Sequence, residues 1–215
     1  MGAEHAHPEA VHRTTPVLRI ETLADGVFAI VMTILVFDLK APEVTDPSQL
    51  APGILAMWPR FLTYGISFVI LGVYWYGHHG QFRFIERTNK VVIWLNVNFL
   101  AAIALVPFST SLLGRYPDQP ISAALYGTLL TVCGLLANAH WWYITRDRRF
   151  IVPEIDPAFV GLVRRRIAYV PLVALAGIAL AFVNPWASIA LYAALPAYFI
   201  IPTALDKYLD QSPEG

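Results

Sequence analysis

The sequence predicts an all-α membrane protein with six transmembrane helices. Of its 215 residues, 57% are hydrophobic and 14% are charged, whereas soluble domains average roughly 45–50% and 25%. The apolar residues are gathered in six runs, each long enough, at about 20 residues, to cross a bilayer as a helix. Short polar connectors separate the runs, so we expect one compact helical bundle.

The predicted spans divide the chain into three parts. The spans cover residues 18–39, 51–78, 91–113, 121–144, 167–183 and 186–205. A cytoplasmic N-terminal segment (1–17) precedes a single six-helix transmembrane domain (18–206), and a cytoplasmic tail (207–215) follows it. The first 15 residues lack the apolar region of a cleavable signal, so the first span is expected to remain in the protein.

The distribution of lysine and arginine predicts the orientation in the membrane. Twelve of them fall on the side that holds both termini and the connectors 2–3 and 4–5, whereas Lys40 and Arg115 fall on the other side. Positive loops stay in the cytoplasm, so both termini are expected to be cytoplasmic in a multi-pass protein of the plasma membrane. The net charge is zero, which argues against a nucleic-acid partner.

Polar residues recur at one depth on the first three spans. They are Arg19, Asp25, Trp75, His78, His79, Asn96 and Asn98, and we call them the polar layer. A lone charge near mid-membrane costs about 2.5 kcal/mol or more, so we expect Asp25 to bond a neighbouring helix. The layer is interpreted as a structural clamp between helices. A proton or ion relay through Asp25, His78 and His79 is the alternative.

The same residues argue against a metal site and against catalysis. His78 and His79 are adjacent, so their side chains point about 100° apart, whereas helical metal pairs have i,i+3 or i,i+4 spacing. We find no nucleophile with a base nearby in the sequence. We therefore expect no enzyme activity, no metal and no cofactor.

The segment "RIETLADGVFAIVMTILVFDLK" (19–40) resembles the first helix of the transmembrane protein 175 family, the potassium channels of endosomes and lysosomes with bacterial relatives. The family hallmark is Arg-x-x-x-Phe-Ser-Asp-Gly followed by Phe-Ala-Ile. Arg19, Asp25, Gly26 and 28–30 match it, while Leu23 and Ala24 replace the Phe and Ser. The stretches "YGISFVILGVYWYGHH" and "LVPFST" resemble the second and third helices of the family.

The resemblance implies a homotetramer in which the first helix of each subunit lines a central pore. The isoleucine ring that forms the narrowest point in the family maps onto Ile30. Residues Ile30, Thr33, Ile34 and Phe37 fall on one side of a helix, and we call them the α1 stripe. By spacing alone, the favoured interpretation is a face that packs against neighbours or lipid, because any apolar helix has such a stripe, and it is the family resemblance that favours the pore.

The expected function is therefore a potassium-permeable cation channel with a hydrophobic constriction instead of a carbonyl filter. Apolar constrictions control passage by dewetting. The expected partners are potassium ions, other copies of the chain and the lipid membrane, with other monovalent cations or protons as alternative ions. A proton channel or a secondary transporter that uses Asp25, His78 and His79 is the alternative function.

Overall fold

The computed structural model describes residues 15–148, 150–153 and 155–201. Most of the predicted N-terminal segment and the whole predicted tail (207–215) lie outside the described residues. The α-helices in the described ranges are α1 (Thr15–Ile34), α2 (Leu50–Ala56), α3 (Trp58–Phe82), α4 (Lys90–Ala104), α5 (Val106–Arg115), α6 (Pro120–Thr145), α7 (Pro157–Ala181) and α8 (Pro185–Ile200). Two short 3-10 helices follow α1 and precede α2, at Leu35–Asp38 and Pro47–Gln49.

Three helical stretches in the described ranges are long and apolar enough to cross a membrane. They are Pro16–Asp38, Lys90–Arg115 and Pro120–Thr145. The pair Pro47–Ala56 and Trp58–Phe82, which meet at an angle of 44°, adds a fourth when it is counted as one span. The described part of the chain is thus all-helical and membrane-like, and the count of six spans stays a prediction.

The fifth predicted span begins earlier in the structure than the sequence suggested. Helix α7 begins at Pro157 because the Asp156 side chain accepts a hydrogen bond from the amide of Ala158 and proline suits the first helical turn. The run Arg164–Arg166 therefore lies inside the helix and not in a connector. Arg166 is buried and donates to the carbonyl of Phe199 at 2.7 Å, which ties α7 to α8.

Connectors that the sequence placed on one side of the membrane meet in the structure. Ile85, between α3 and α4, forms an isolated antiparallel bridge with Ile151, between α6 and α7. At the opposite end of the bundle, Ser111 donates to Asp38 at 2.6 Å, and the rings of Trp58 and Trp186 stack 4.9 Å apart. These contacts agree with helices that alternate in direction. The cytoplasmic orientation of either end stays a prediction.

The tightest helix packing occurs where α6, α7 and α8 meet. Tyr192 on α8 is fully buried and donates to the carbonyl of Ala123 at 3.2 Å. Its ring lies against Gly127 on α6 and Gly177 on α7, where an added Cβ would overlap the ring. The two glycines therefore allow an aromatic side chain to fill the space between three helices.

Candidate functional site

Helix α1 has one face that packs in the subunit and one that does not. Ala24, Phe28, Val31 and Leu35 are buried at helical spacing. They contact the main hydrophobic core of the bundle. The other face of α1 and of the 3-10 turn that follows it is open in the single chain, and it carries all four residues of the α1 stripe.

The α1 stripe presents mostly apolar side chains. Ile30 is 59% exposed, Ile34 is 42% exposed and Phe37 is 72% exposed. The Thr33 hydroxyl donates back to the carbonyls of its own helix, at 2.9 Å to Ala29 and 2.8 Å to Ile30. Thr33 therefore needs no partner on another helix, and its oxygen remains on the exposed face as an acceptor.

The last turn of the stripe is wound more tightly than the sequence predicted. The chain leaves the α-helix at Ile34 and continues as a 3-10 helix over Leu35–Asp38. Residues three apart nearly eclipse one another in a 3-10 helix. Phe37 therefore lies almost in line with Ile34 along the helix axis.

Asp25 bonds a residue of a neighbouring helix, as expected from the free-energy cost of a lone charge in a membrane. The indole Nε1–H of Trp75 on α3 donates to Asp25 Oδ1 at 2.8 Å. Both residues lie on the open side of the subunit, since Trp75 is 40% exposed and Asp25 is also exposed. The bond links α1 to α3 beside the face that carries the α1 stripe.

A second pair links the same two helices one turn away. His79 Nδ1 lies 3.2 Å from Glu21 Oε1, and the His79 ring stacks on that of Trp75 with centroids 5.9 Å apart. No role was predicted for Glu21 from the sequence, although it lies four residues before Asp25, which places both carboxylates on one side of α1.

His78 lies on the buried side of α3 and bonds a different helix. His78 Nε2 is 2.7 Å from Asn96 Oδ1 on α4. The amide oxygen can only accept, so the imidazole Nε2–H is the donor. The His78 ring stacks on Phe82 at 4.4 Å and on Phe99 at 5.6 Å, between centroids. This pair fixes α3 against α4.

The structure therefore divides the predicted polar layer into separate pairs. Asn98 is exposed and donates to the carbonyl of Trp94 on its own helix at 2.7 Å, so it does not join the other residues. Arg19 is also exposed. Within it, Asp25 pairs with Trp75 and His78 pairs with Asn96, whereas His79 pairs with Glu21, which lies outside the predicted layer.

A further buried pair was missed by the sequence analysis. His140 on α6 lies with Nδ1 3.0 Å from Gln81 Oε1 on α3. Its ring is stacked 6.5 Å from that of His78 and 5.4 Å from that of Phe82. The predicted second span ends at residue 78, which leaves Gln81 in the following connector, but α3 continues to Phe82. A helical repeat extended by one turn would have placed Gln81 beside His78.

Comparisons with known proteins agree with the pattern of the first three spans. A family model described as the endosomal/lysosomal potassium channel TMEM175 matches residues 19–107. A potassium channel of Streptomyces collinus is 31% identical over 185 residues, which cover 84% of this chain and 90% of that protein. The human endosomal/lysosomal proton channel TMEM175 is 30% identical over 153 residues, which cover 63% of this chain and 30% of that protein.

A solved structure has the same fold. The crystal structure of a lysosomal potassium-selective channel TMEM175 homologue from Chamaesiphon minutus superposes with a TM-score of 0.78 at 28% identity. The match covers 86% of this chain and 97% of the crystallised chain. The chain therefore belongs to the TMEM175 family, whose members are ion channels and not enzymes.

Proposed function

We propose that the protein is a potassium-permeable cation channel of the plasma membrane. It assembles as a homotetramer of six-span subunits (18–206) with both termini in the cytoplasm, and α1 of each subunit lines the central pore. The observation that carries the proposal is the open face of α1, where Ile30, Ile34 and Phe37 are exposed in the single chain. The identity of the ion is proposed from similar bacterial proteins that are named potassium channels.

Four copies of the α1 stripe around one axis would form rings of apolar side chains with a hydroxyl ring at Thr33. An apolar ring offers no oxygen to replace the water that an ion loses, so its radius sets the barrier. Potassium is less strongly hydrated than sodium, and it would therefore pass such a ring with a smaller dehydration cost. The Asp25–Trp75 bond would hold α1 in position while the stripe stays apolar.

The proposal is tested at Ile30 by recording currents from the reconstituted protein under bi-ionic potassium and sodium conditions. Ile30→Asn supplies amide dipoles that replace lost water, so we expect larger currents and a reversal potential closer to zero. Val132→Asn is a matched control. It also changes an exposed β-branched residue, 38% exposed, but on α6. Val31 is 4% exposed and would report subunit packing instead.

The outcome at Ile30 decides the pore assignment. If Ile30→Asn leaves both conductance and reversal potential unchanged while the protein remains tetrameric by native mass measurement, Ile30 does not line the constriction. An effect of equal size in Val132→Asn would show that an amide on any exposed apolar helix face perturbs the channel, which would also contradict the assignment.

Proton conduction is the second candidate function. Two carboxylates of α1, Asp25 and Glu21, each meet a ring of α3, and similar animal proteins are named proton channels. Proton uptake by liposomes under a pH gradient tests this function. If Asp25→Asn abolishes proton flux and leaves potassium flux intact, the layer acts as a relay; if neither flux changes, the relay is excluded.

A further inference from the structure

Two membrane-spanning helices each expose a polar side chain on the surface of the single subunit. Asp25 on α1 and Asn98 on α4 are both exposed. Both lie within apolar spans, about 12–14 Å along the helix from the first residue of each span. At that depth a polar group faces hydrocarbon unless protein or a water-filled space covers it. Each side chain therefore needs a covering partner in the membrane.

Both side chains keep unused hydrogen-bonding capacity. Asn98 Nδ2 donates one N–H to the carbonyl of Trp94 at 2.7 Å, which fixes the orientation of the amide and leaves the second N–H open. Asp25 Oδ1 accepts from the indole of Trp75, whereas Oδ2 accepts from no group among the described residues. Asn98 thus offers a donor, and Asp25 offers a charged acceptor.

Neither the proposed pore nor the lipid satisfies these atoms. Asp25 is turned by about 140° around α1 from Ile30, which stands at the proposed constriction. Asn98 lies on α4, which carries none of the α1 stripe. Lipid tails offer no hydrogen-bond donor or acceptor. A second copy of the chain is the partner that the proposed assembly supplies.

The two side chains lie at nearly the same depth. Trp75, which bonds Asp25, lies three residues before His78, which bonds Asn96, on a helix that runs opposite to α4. Asp25 is therefore about 4.5 Å further from the N-terminal end of α4 than Asn96 is. Asn98 is about 3 Å further in the same direction. The difference in depth is about 1.5 Å, which a hydrogen bond between two side chains spans.

A cyclic assembly brings the two side chains together. Helix α1 packs against both α3 and α4, so these helices flank it. In a ring around the α1 stripe every interface is heterologous, and one flank of each subunit meets the opposite flank of the next. The flank with Asp25 and Trp75 thus meets the α4 flank of a neighbour. Beside Asn98 that flank is apolar, with Trp94 57% and Leu105 53% exposed.

We propose that Asn98 donates its second amide N–H to Oδ2 of the partner subunit's Asp25, once at every interface of the tetramer. This contact rests on the tetramer of the proposed function and adds the side chains that join its subunits. A hydrogen bond to a carboxylate is charge-assisted, and amide side chains bond across helices in membranes in the same way. One bond covers both exposed polar groups.

The sign of the effect of Asn98→Leu on tetramer dissociation tests the contact. The purified full-length protein is diluted in detergent, and its subunit number is measured by native mass spectrometry. Loss of one subunit breaks two interfaces, so we expect the dissociation constant to rise about tenfold. An Asn98 side chain that faces lipid predicts the opposite, because leucine suits hydrocarbon better than an amide.

Asn138→Leu is the matched control for this substitution. Asn138 on α6 also donates Nδ2 to the carbonyl four residues earlier, at 2.8 Å to Gly134. It is half-buried, and its helix packs against α4, α5, α7 and α8 within the subunit. We expect its replacement to leave the dissociation constant of the tetramer unchanged.

A double variant and a cross-link identify the partner. Asp25→Leu combined with Asn98→Leu should dissociate no more readily than Asp25→Leu alone. In a Cys133→Ser background, the pair Asp25→Cys and Asn98→Cys should give cross-linked dimers, trimers and tetramers with a short bifunctional thiol reagent. The pair Asp25→Cys and Leu172→Cys is the control. Leu172 is 65% exposed on α7, and this pair should remain monomeric in denaturing gels.

The results separate this contact from the proposed function. A tetramer that dissociates no more readily with Asn98→Leu than with Asn138→Leu overturns the contact alone. Additive losses in the double variant, or no cross-link between positions 25 and 98, overturn the assignment of Asp25 as the partner. A native protein that is monomeric at every concentration overturns the tetramer of the proposed function and the contact with it.

Discussion

The contact between Asp25 and Trp75 should stabilise the subunit through one specific bond, and a double-mutant cycle measures it. Trp75→Phe removes the indole N–H that donates to Asp25 Oδ1 at 2.8 Å, and retains an aromatic ring beside His79. Asp25→Leu removes the acceptor and retains a side chain of similar size. Asp25→Asn retains an acceptor oxygen without the charge.

The size of the effect follows from the geometry. A hydrogen bond to a charged group contributes about 1.5–3 kcal/mol. Both residues are partly exposed in the subunit, so we expect the lower end, about 1.5 kcal/mol of coupling, for Asp25→Leu against Trp75→Phe. For a domain of this size that corresponds to roughly 3–6 °C in the unfolding midpoint. Asp25→Asn should lose about half as much, since a neutral bond is weaker.

The assay is thermal unfolding of the purified protein in detergent, with size-exclusion elution after heating as the second readout. If the bond joins the two side chains, the double variant should be no less stable than the worse single variant. A double variant whose loss equals the sum of the two single losses would show that Asp25 and Trp75 act independently, and the clamp interpretation would be wrong.

Two further predictions concern packing and topology. Gly177→Ala would place its Cβ 2.7 Å from Tyr192 Cζ, so we expect a loss of about 1–3 kcal/mol from overpacking; Gly65→Ala, with open space, should be neutral or stabilising in the same thermal assay. In a background without the native cysteine, Thr45→Cys should react with a membrane-impermeant maleimide added to intact cells, whereas Arg87→Cys should react only after lysis. Both side chains are exposed, and the opposite pattern would reverse the predicted orientation.

The sequence determined the class of the protein and its family. Hydrophobic run length depends only on the bilayer thickness and the helical rise, so the spans around α1, α4–α5 and α6 could be read directly. The first-helix motif with Arg19, Asp25 and Gly26 pointed to a channel family that the comparisons confirm. The need for a partner at Asp25 also followed from the cost of a lone charge in a membrane.

Tertiary structure decided which polar residues meet. Sequence gives depth along a helix axis but not the rotation of each helix about that axis, and rotation decides whether a side chain faces a neighbour. Asn96 therefore bonds His78, while Asn98, two residues later, points away and bonds its own helix. The rotations of α3 and α6 likewise place His140 beside Gln81, although the two residues are 59 positions apart in the sequence.

The role of each glycine likewise depends on tertiary structure. A glycine in a sequence predicts close packing as readily as open space, because both need a missing side chain. Gly177 lies against the Tyr192 ring, whereas Gly72 faces empty volume. Only the mutual placement of α3, α6, α7 and α8 distinguishes these two uses, since each depends on atoms far away in the chain.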